Sequence, residues 1–522
     1  MADRPPSCNA QAVAQNPRRR PARRWGHRTK TTRSLTSQRG PSRLDRVNAI
    51  RYPCRLLAVL LALACLTSAG PASSAPAPSP TPSVHRVNVR PDAWSGEPIF
   101  WFGRANETDN YADVRVTYDG WGLYVSANVV DYWLWWDESG TTDPREYEAF
   151  AVYLDTSNAR ADTPQPSSRF VASGLRFWTP GDDSPWRRQG RGAGGGWDES
   201  WQPTPAWVDT TGARWTSWGA NNNSDHDRGW STEIAIPWGA LGLPGPPASG
   251  TTWSLGAVLY DRDARPPDGA VPPKSWPDGF STSSPATWGS LVFDPPPYQP
   301  VFTVNRETVS IRREGASPGP VVDAWAGGGG LCLGGVYGGG DTPHPGSWPD
   351  DPDLFVQNQG DISDFHCFSK SFLRFDLSAI PAGKTIARAM LQLYHFGNSN
   401  PLKAKPTFVQ LFSVLSPWDE TTLTWNNAPI AGENFDGTWV QPIPDNAPGA
   451  YYTWDATELV AGAYAAGVPA SLAIYSADYD MHSGKYFRSS EFWDPAARPT
   501  LIVTWGDPAA AFQRVLIPKV AR

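Results

Sequence analysis

Cysteine is scarce in this 522-residue chain, and of its five cysteines only Cys332 and Cys367 lie beyond the first seventy positions. One disulfide between them fits an oxidising compartment; two separate thiols is the other reading. Their spacing, with no second pair and no histidine at ligand intervals, argues against zinc. Charge is sparse too, at 18% of residues. Residues 1–55 hold fourteen of the 45 Lys and Arg but two of the 51 Asp and Glu, leaving 31 basic against 49 acidic groups beyond them. That net −18 speaks against a non-specific hold on nucleic acid or anionic membranes. The apolar run at 56–69 (LLAVLLALACLTSA) is too short to cross a bilayer comfortably. With its basic front and the small residues behind it, it has the layout of a secretory signal peptide.

The motifs of common catalytic sites are also missing. There is no G-x-S-x-G and no H-E-x-x-H, and no Gly-Lys-Ser/Thr follows the glycine tract AWAGGGGLCLGGVYGGGD. A glycosidase needs two carboxylates flanking the scissile bond, which a linear sequence cannot bring together. No catalytic residue and no cofactor is therefore assigned; a non-catalytic chain is the expectation, and enzymatic activity stays open as the alternative. Structural calcium is the one ion with oxygen-rich turns in its favour. Asp261 and Asp263 (DRD) and Asp478 and Asp480 (DYDMHSG) are weak candidates, against plain Asx-turns.

What is abundant is aromatic: 27 Trp, 17 Tyr and 20 Phe, with Pro and Gly making up about a fifth of the chain. This suits short strands, long turns and rings free to stack on sugars. Period-2 alternation marks strands at Phe372–Asp376 (Leu373 and Phe375 on one side), at Ala389, Leu391 and Leu393, and at Val409, Leu411 and Ser413. DVRVTYDGWGLYVSANVVD reads as a hairpin about Asp119-Gly120. WDATELVAGAYAAG is the one convincing helix, with Asp455 or Thr457 near its N-cap.

The ordered pieces FLRFDLSAIPAG, ARAMLQLY, SPWDETTLTWNNAP, YTWDATELVAGAYAAG and FRSSEFWDPAARPTLIVTW resemble the DNRLRE domain, whose sugar-binding members form carbohydrate-binding module family 96. The resemblance implies an extracellular β-sandwich of jelly-roll type over 303–505. Residues 84–294 resemble family 9 carbohydrate-binding modules and DOMON-like domains through LYV, EYEAFAVYLD, the W…E.AIPW..LG segment and the closing strand Trp288–Phe293. In the sugar-binding members of that family a clamp tryptophan and an acid stand where this chain has Arg145 and Ala151. Arg176 matches the family's arginine, and Trp276 is a loose counterpart of the second clamp ring.

The expected chain is thus all-β, two tandem β-sandwiches. A leader and signal peptide take 1–74, a Pro-rich linker 75–83, the sandwiches 84–294 and 303–505 with a linker at 295–302, and a tail 506–522. Sugar-binding candidates are Trp133, Trp135 and Trp136 of DYWLWWD, with Arg145, Arg176 and Trp276. In the second half they are Lys370, Arg374, Lys485, Tyr486, Arg488 and Trp493, whose cations suit a uronate carboxylate. The function expected is secreted, non-catalytic polysaccharide binding by stacking. A cell-surface adhesion protein and an accessory chain of a polysaccharide-degrading system are the alternatives.

Overall fold

The structure, a computed structural model, describes residues 83–508 except 88–93, 95, 107, 138, 140–141, 175–186, 213–221, 223–225, 301–302, 316–318, 328–352, 359–366, 445 and 477–482. Among these residues it is all-β apart from short 3-10 turns and one helix, Thr457–Ala466. The helix follows Ala456, and the carboxylate of Asp455 accepts from the Thr457 amide at 2.9 Å. Gly467 closes it in the left-handed region at φ 67°, where a side chain would be strained.

Among the described residues, three sheets hold the strands. A five-stranded sheet is built from Ile99–Asn106, Asp109–Tyr118, Gly122–Val130, Trp230–Pro237 and Val208–Gly212. A six-stranded one holds Thr303–Ile311, Thr500–Pro508, Thr385–Asn398, Lys485–Arg488, Asp353–Val356 and Ala450–Asp455. The remaining strands form one long sheet shared by both halves. It is continuous because Val84–Val87 runs parallel to Gly289–Phe293 and meets Ala431–Val440 through the pair Val84–Glu433.

The alternation seen in the sequence decides which face goes where. Phe100 and Phe102 enter the core of the first sandwich, while Ile99 and Trp101 point the other way. Leu373 and Phe375 join the second core with Ala389, Leu391 and Leu393. Val409 and Leu411 follow, but a bulge beyond Leu411 leaves Ser413 half-buried. The second face of Ile99–Asn106, of Ser369–Phe375 and of the strand through Val409 and Leu411 is not solvated. Ile99, Trp101, Tyr111 and Val130 of the first half pack on Ala324, Phe372, Phe412 and Tyr475 of the second. Residues 79–522 accordingly form one compact unit.

Candidate functional site

The outer face of the six-stranded sheet is where rings gather. In Thr385–Asn398 the residues Ala389, Leu391, Leu393 and His395 point inward, so Gln392, Tyr394 and Phe396 face out. Register then sets their neighbours: Tyr451 opposite Tyr394, Tyr486 opposite Gly397 and Phe355, and Arg488 opposite Asp353. A Cβ on Gly397 would come within 3.3 Å of the Tyr486 ring, so the glycine lets that ring lie across the strand.

The rings are in contact, Phe355, Tyr486 and Phe396 in one run and Tyr394 with Tyr451 in a pair. Centroids are 4.9 Å apart for Phe355 and Tyr486, 6.3 Å for Tyr486 and Phe396, and 5.0 Å for Tyr394 and Tyr451. The Arg488 guanidinium lies 3.4 Å from the centre of Phe396 and 4.1 Å from that of Phe492, and donates to Asp353 Oδ1 at 2.5 Å. Trp493, 79% exposed, packs on Phe492 at 5.3 Å. Its loop is tied down by the Tyr451 hydroxyl, which donates to the Ala496 carbonyl at 2.9 Å. Burial pushes the Tyr486 hydroxyl up to about 12, so it remains a neutral donor and acceptor. Half-exposed rings interleaved with a fixed guanidinium and phenols can stack on the C–H faces of a sugar and bond its hydroxyls. Nothing in that chemistry requires a proton to move.

Of the candidates named from sequence, the fold unites Tyr486, Arg488 and Trp493. Lys370 and Arg374 are on Ser369–Phe375, in the other sheet of the sandwich, so they do not join them. Lys370 is fully buried under the first half. Arg374 is half-buried against Trp418 and donates to its carbonyl at 3.0 Å. Lys485 is also fully buried, bonded to the Lys405 and Ser483 carbonyls and to Thr407. Trp276 is core, its ring 4.3 Å from Phe100. Arg145 is engaged by Asp143 and Glu199. DYWLWWD is not a strand: Trp133, Trp135 and Trp136 are half-buried, and their amides donate to Asp131, Glu148 and Asn222. Arg176, Cys332, Asp478 and Asp480 lie outside the described residues, while Cys367 is disulfide-bonded. Phe355, Tyr394, Phe396 and Tyr451 were not singled out from sequence. The alternation in LQLYHF marks Tyr394 and Phe396, but only the pairing brings the others to them.

Two further features stand apart. A concavity of about 580 Å³, where residues 295–300 cross the second sandwich, is lined by Tyr298, Phe408, Phe435, Asp436, Arg388 and Glu458 among others. In the first sandwich Asp131, Glu148 and Asp261 converge, with ligand oxygens within 4.8 Å of one another. Burial raises the Asp131 carboxyl to about 7 and those of Glu148 and Asp261 well above the usual range, each reinforced by neighbouring acids. Asp263, half-buried beside them, is raised to about 6.

Comparison with known proteins agrees with the ring-bearing half. The model of carbohydrate-binding module family 96 matches residues 347–504, a span that holds every ring of the outer face, Phe355 through Trp493. Among solved structures the chain is similar to a family 9 carbohydrate-binding module from Caldicellulosiruptor kristjanssonii in complex with cellotriose. That pair shares 16% identity over 42% of this chain and 99% of the other, with a TM-score of 0.27. A family 9 module from the same organism in complex with glucose gives 17% identity over 40% and 95%, also at 0.27. No curated protein matches the chain.

Proposed function

We propose that this is a secreted, non-catalytic polysaccharide-binding protein whose glycan lies across the outer face of the six-stranded sheet. The observation that carries the reading is the coincidence of that ring face with the residues matched by family 96. Exposed Trp493 and Tyr451 supply the outermost stacking surfaces, and Arg488 a fixed charge within the row. Export is supported by the apolar run at 56–69 and by the disulfide at Cys367.

The test is affinity electrophoresis of the full chain through gels holding a neutral glucan, a xylan or a polyuronate. At least one should retard the protein, and Trp493→Ala with Tyr486→Ala should restore free migration while the fold persists. Reducing-sugar release by the purified protein would contradict the non-catalytic reading. A folded protein that no polysaccharide retards would transfer the case to an adhesion or spacer role.

A further inference from the structure

The cavity beside residues 295–300 is joined to the ring face by the register of one strand pair. Outward along Thr385–Asn398 stand Phe396, Tyr394, Gln392, Met390 and Arg388, every second residue. On Ala450–Asp455, Tyr451, Thr453 and Asp455 are exposed, opposite Tyr394, Gln392 and Met390 in turn. Asp455 and Arg388 also line the cavity. From Tyr394 to Arg388 the strand covers roughly 20 Å, at about 3.4 Å per residue. A polar stretch, Gln392 beside Thr453, thus leads from the rings to the cavity.

The cavity has the size and lining of a ligand site. Its volume of about 580 Å³ falls within the roughly 300–1,000 Å³ of small-molecule clefts. Phe408, Phe435 and Tyr298 give it ring surface. A Cβ on Gly437 would come within 2.1 Å of the Phe408 ring, so the missing side chain lets that ring lie over the strand. Asp436 accepts from the Asp455 amide at 2.6 Å, and Asp455 from the Thr457 amide at 2.9 Å, which holds both carboxylates in place. Arg86 is already held by Glu433 and Glu458. Exposed Arg388 is the other cation of the lining, against Asp436 and Asp455. Fixed carboxylates accept from hydroxyls and a guanidinium donates to them. The acidic balance repels a carboxylate-bearing sugar.

We infer that this cavity is a second subsite of the glycan track and takes a neutral sugar unit. Its hydroxyls would bond Asp436, Asp455 and Arg388, and its C–H face would rest on Phe408. The inference rests on the ring-face reading and narrows it, because a glycan long enough to reach both subsites must be neutral at the cavity end.

The full chain is titrated calorimetrically with short and long oligosaccharides of a neutral glucan, a xylan and a polyuronate. A long neutral ligand should bind about tenfold tighter than its short form, since one molecule then fills two subsites. Arg388→Ala with Tyr298→Ala, both exposed and outside the ring cluster, should erase that advantage and leave the short ligand unchanged. Asp436→Asn, which keeps an acceptor for the Asp455 amide, should act in the same direction. Trp493→Ala with Tyr486→Ala should instead weaken short and long ligands alike, which separates the two readings. Equal affinity for long and short neutral ligands would overturn the cavity subsite and leave the ring face standing. So would a long-ligand advantage that survives in the cavity variants, or binding confined to the polyuronate. Binding of no oligosaccharide at all would overturn both.

Discussion

Lys370 donates a 3.0 Å hydrogen bond from its ammonium to the hydroxyl of Tyr111, joining one sandwich to the other through groups that water does not reach. The same nitrogen stands 3.7 Å from the centre of the Trp425 ring and 4.5 Å from that of Trp101. Tyr111 in turn donates to Asp113 Oδ1 at 2.6 Å, and Tyr475 and Asn358 donate to Oδ2 at 2.8 and 2.5 Å. Arg115 completes the network with a 2.7 Å bond to the Asn358 side-chain oxygen. A lysine and an acid from opposite halves thus share one closed polar pocket within the apolar seam.

Burial lowers the Lys370 ammonium to about 7, against the partial support of Asp113, and this fixes the sign of its pH dependence. Below pH 7 the native and unfolded chains both keep the proton, and the full cost of enclosing the charge is present. Between pH 7 and the unfolded value near 10.5, only the unfolded chain keeps it. Stability from this group therefore rises with pH, at about 1.4 kcal/mol per unit where one proton separates the states. Urea midpoints of the wild type between pH 7 and 9 should climb relative to those of Lys370→Met. Parallel profiles would refute the assignment.

Lys485 offers the contrast. Its ammonium is equally buried but meets oxygens at 2.6 Å (Lys405), 2.8 Å (Ser483) and 3.0 Å (Thr407). Lys485→Met would remove the donor and strand those acceptors, at a cost on the order of 3 kcal/mol. Chemical denaturation should show the loss with no change in the transition's steepness.

His395 runs with pH in the acid range. Desolvation beneath Tyr452 and Phe487 lowers its ring to about 4, although the Gly397 carbonyl lies 2.7 Å from Nε2. Between pH 6.5 and 4 the unfolded chain binds a proton that the native chain refuses, so stability falls on acidification. Its share is about 3 kcal/mol across the window. His395→Gln should flatten that part of the profile, and a variant as acid-sensitive as the wild type would disprove it.

How much of this was legible in the sequence depends on which contact a residue makes. Leu373, Phe375, Ala389, Leu391 and Leu393 went inward as their period-2 spacing requires, because within one sheet the alternation is dictated by the backbone. The hairpin about Asp119 also formed, its carboxylate accepting from the Trp121 and Gly122 amides. Lys370 could not be placed this way. It shares a strand face with Phe372, and that face is covered by residues more than 250 positions away. The same holds for Tyr486 and Arg488, two of the candidates named from sequence. Their partners Phe355 and Asp353 come from a strand more than 130 positions earlier, which no local pattern discloses.

Trp101 tests whether the seam makes the two sandwiches one folding unit. Its ring meets Phe412 and Tyr475 edge to face at 5.1 and 5.5 Å, and its indole N–H donates to the Pro429 carbonyl at 3.3 Å. All three partners belong to the second half, while Trp101 itself sits in the five-stranded sheet of the first. Trp101→Ala would open a cavity at the joint and cost about 3–5 kcal/mol. Because the interface belongs to both halves, the loss should fall on one shared transition, lowered for probes in either sandwich alike. Hydrogen exchange followed by mass spectrometry can read Val125 and Leu391, buried in the first and second cores, in the same denaturant series. Coincident midpoints that shift together support a common unit. A midpoint that moves at Val125 and stays fixed at Leu391 would mean that the second sandwich stands without the first.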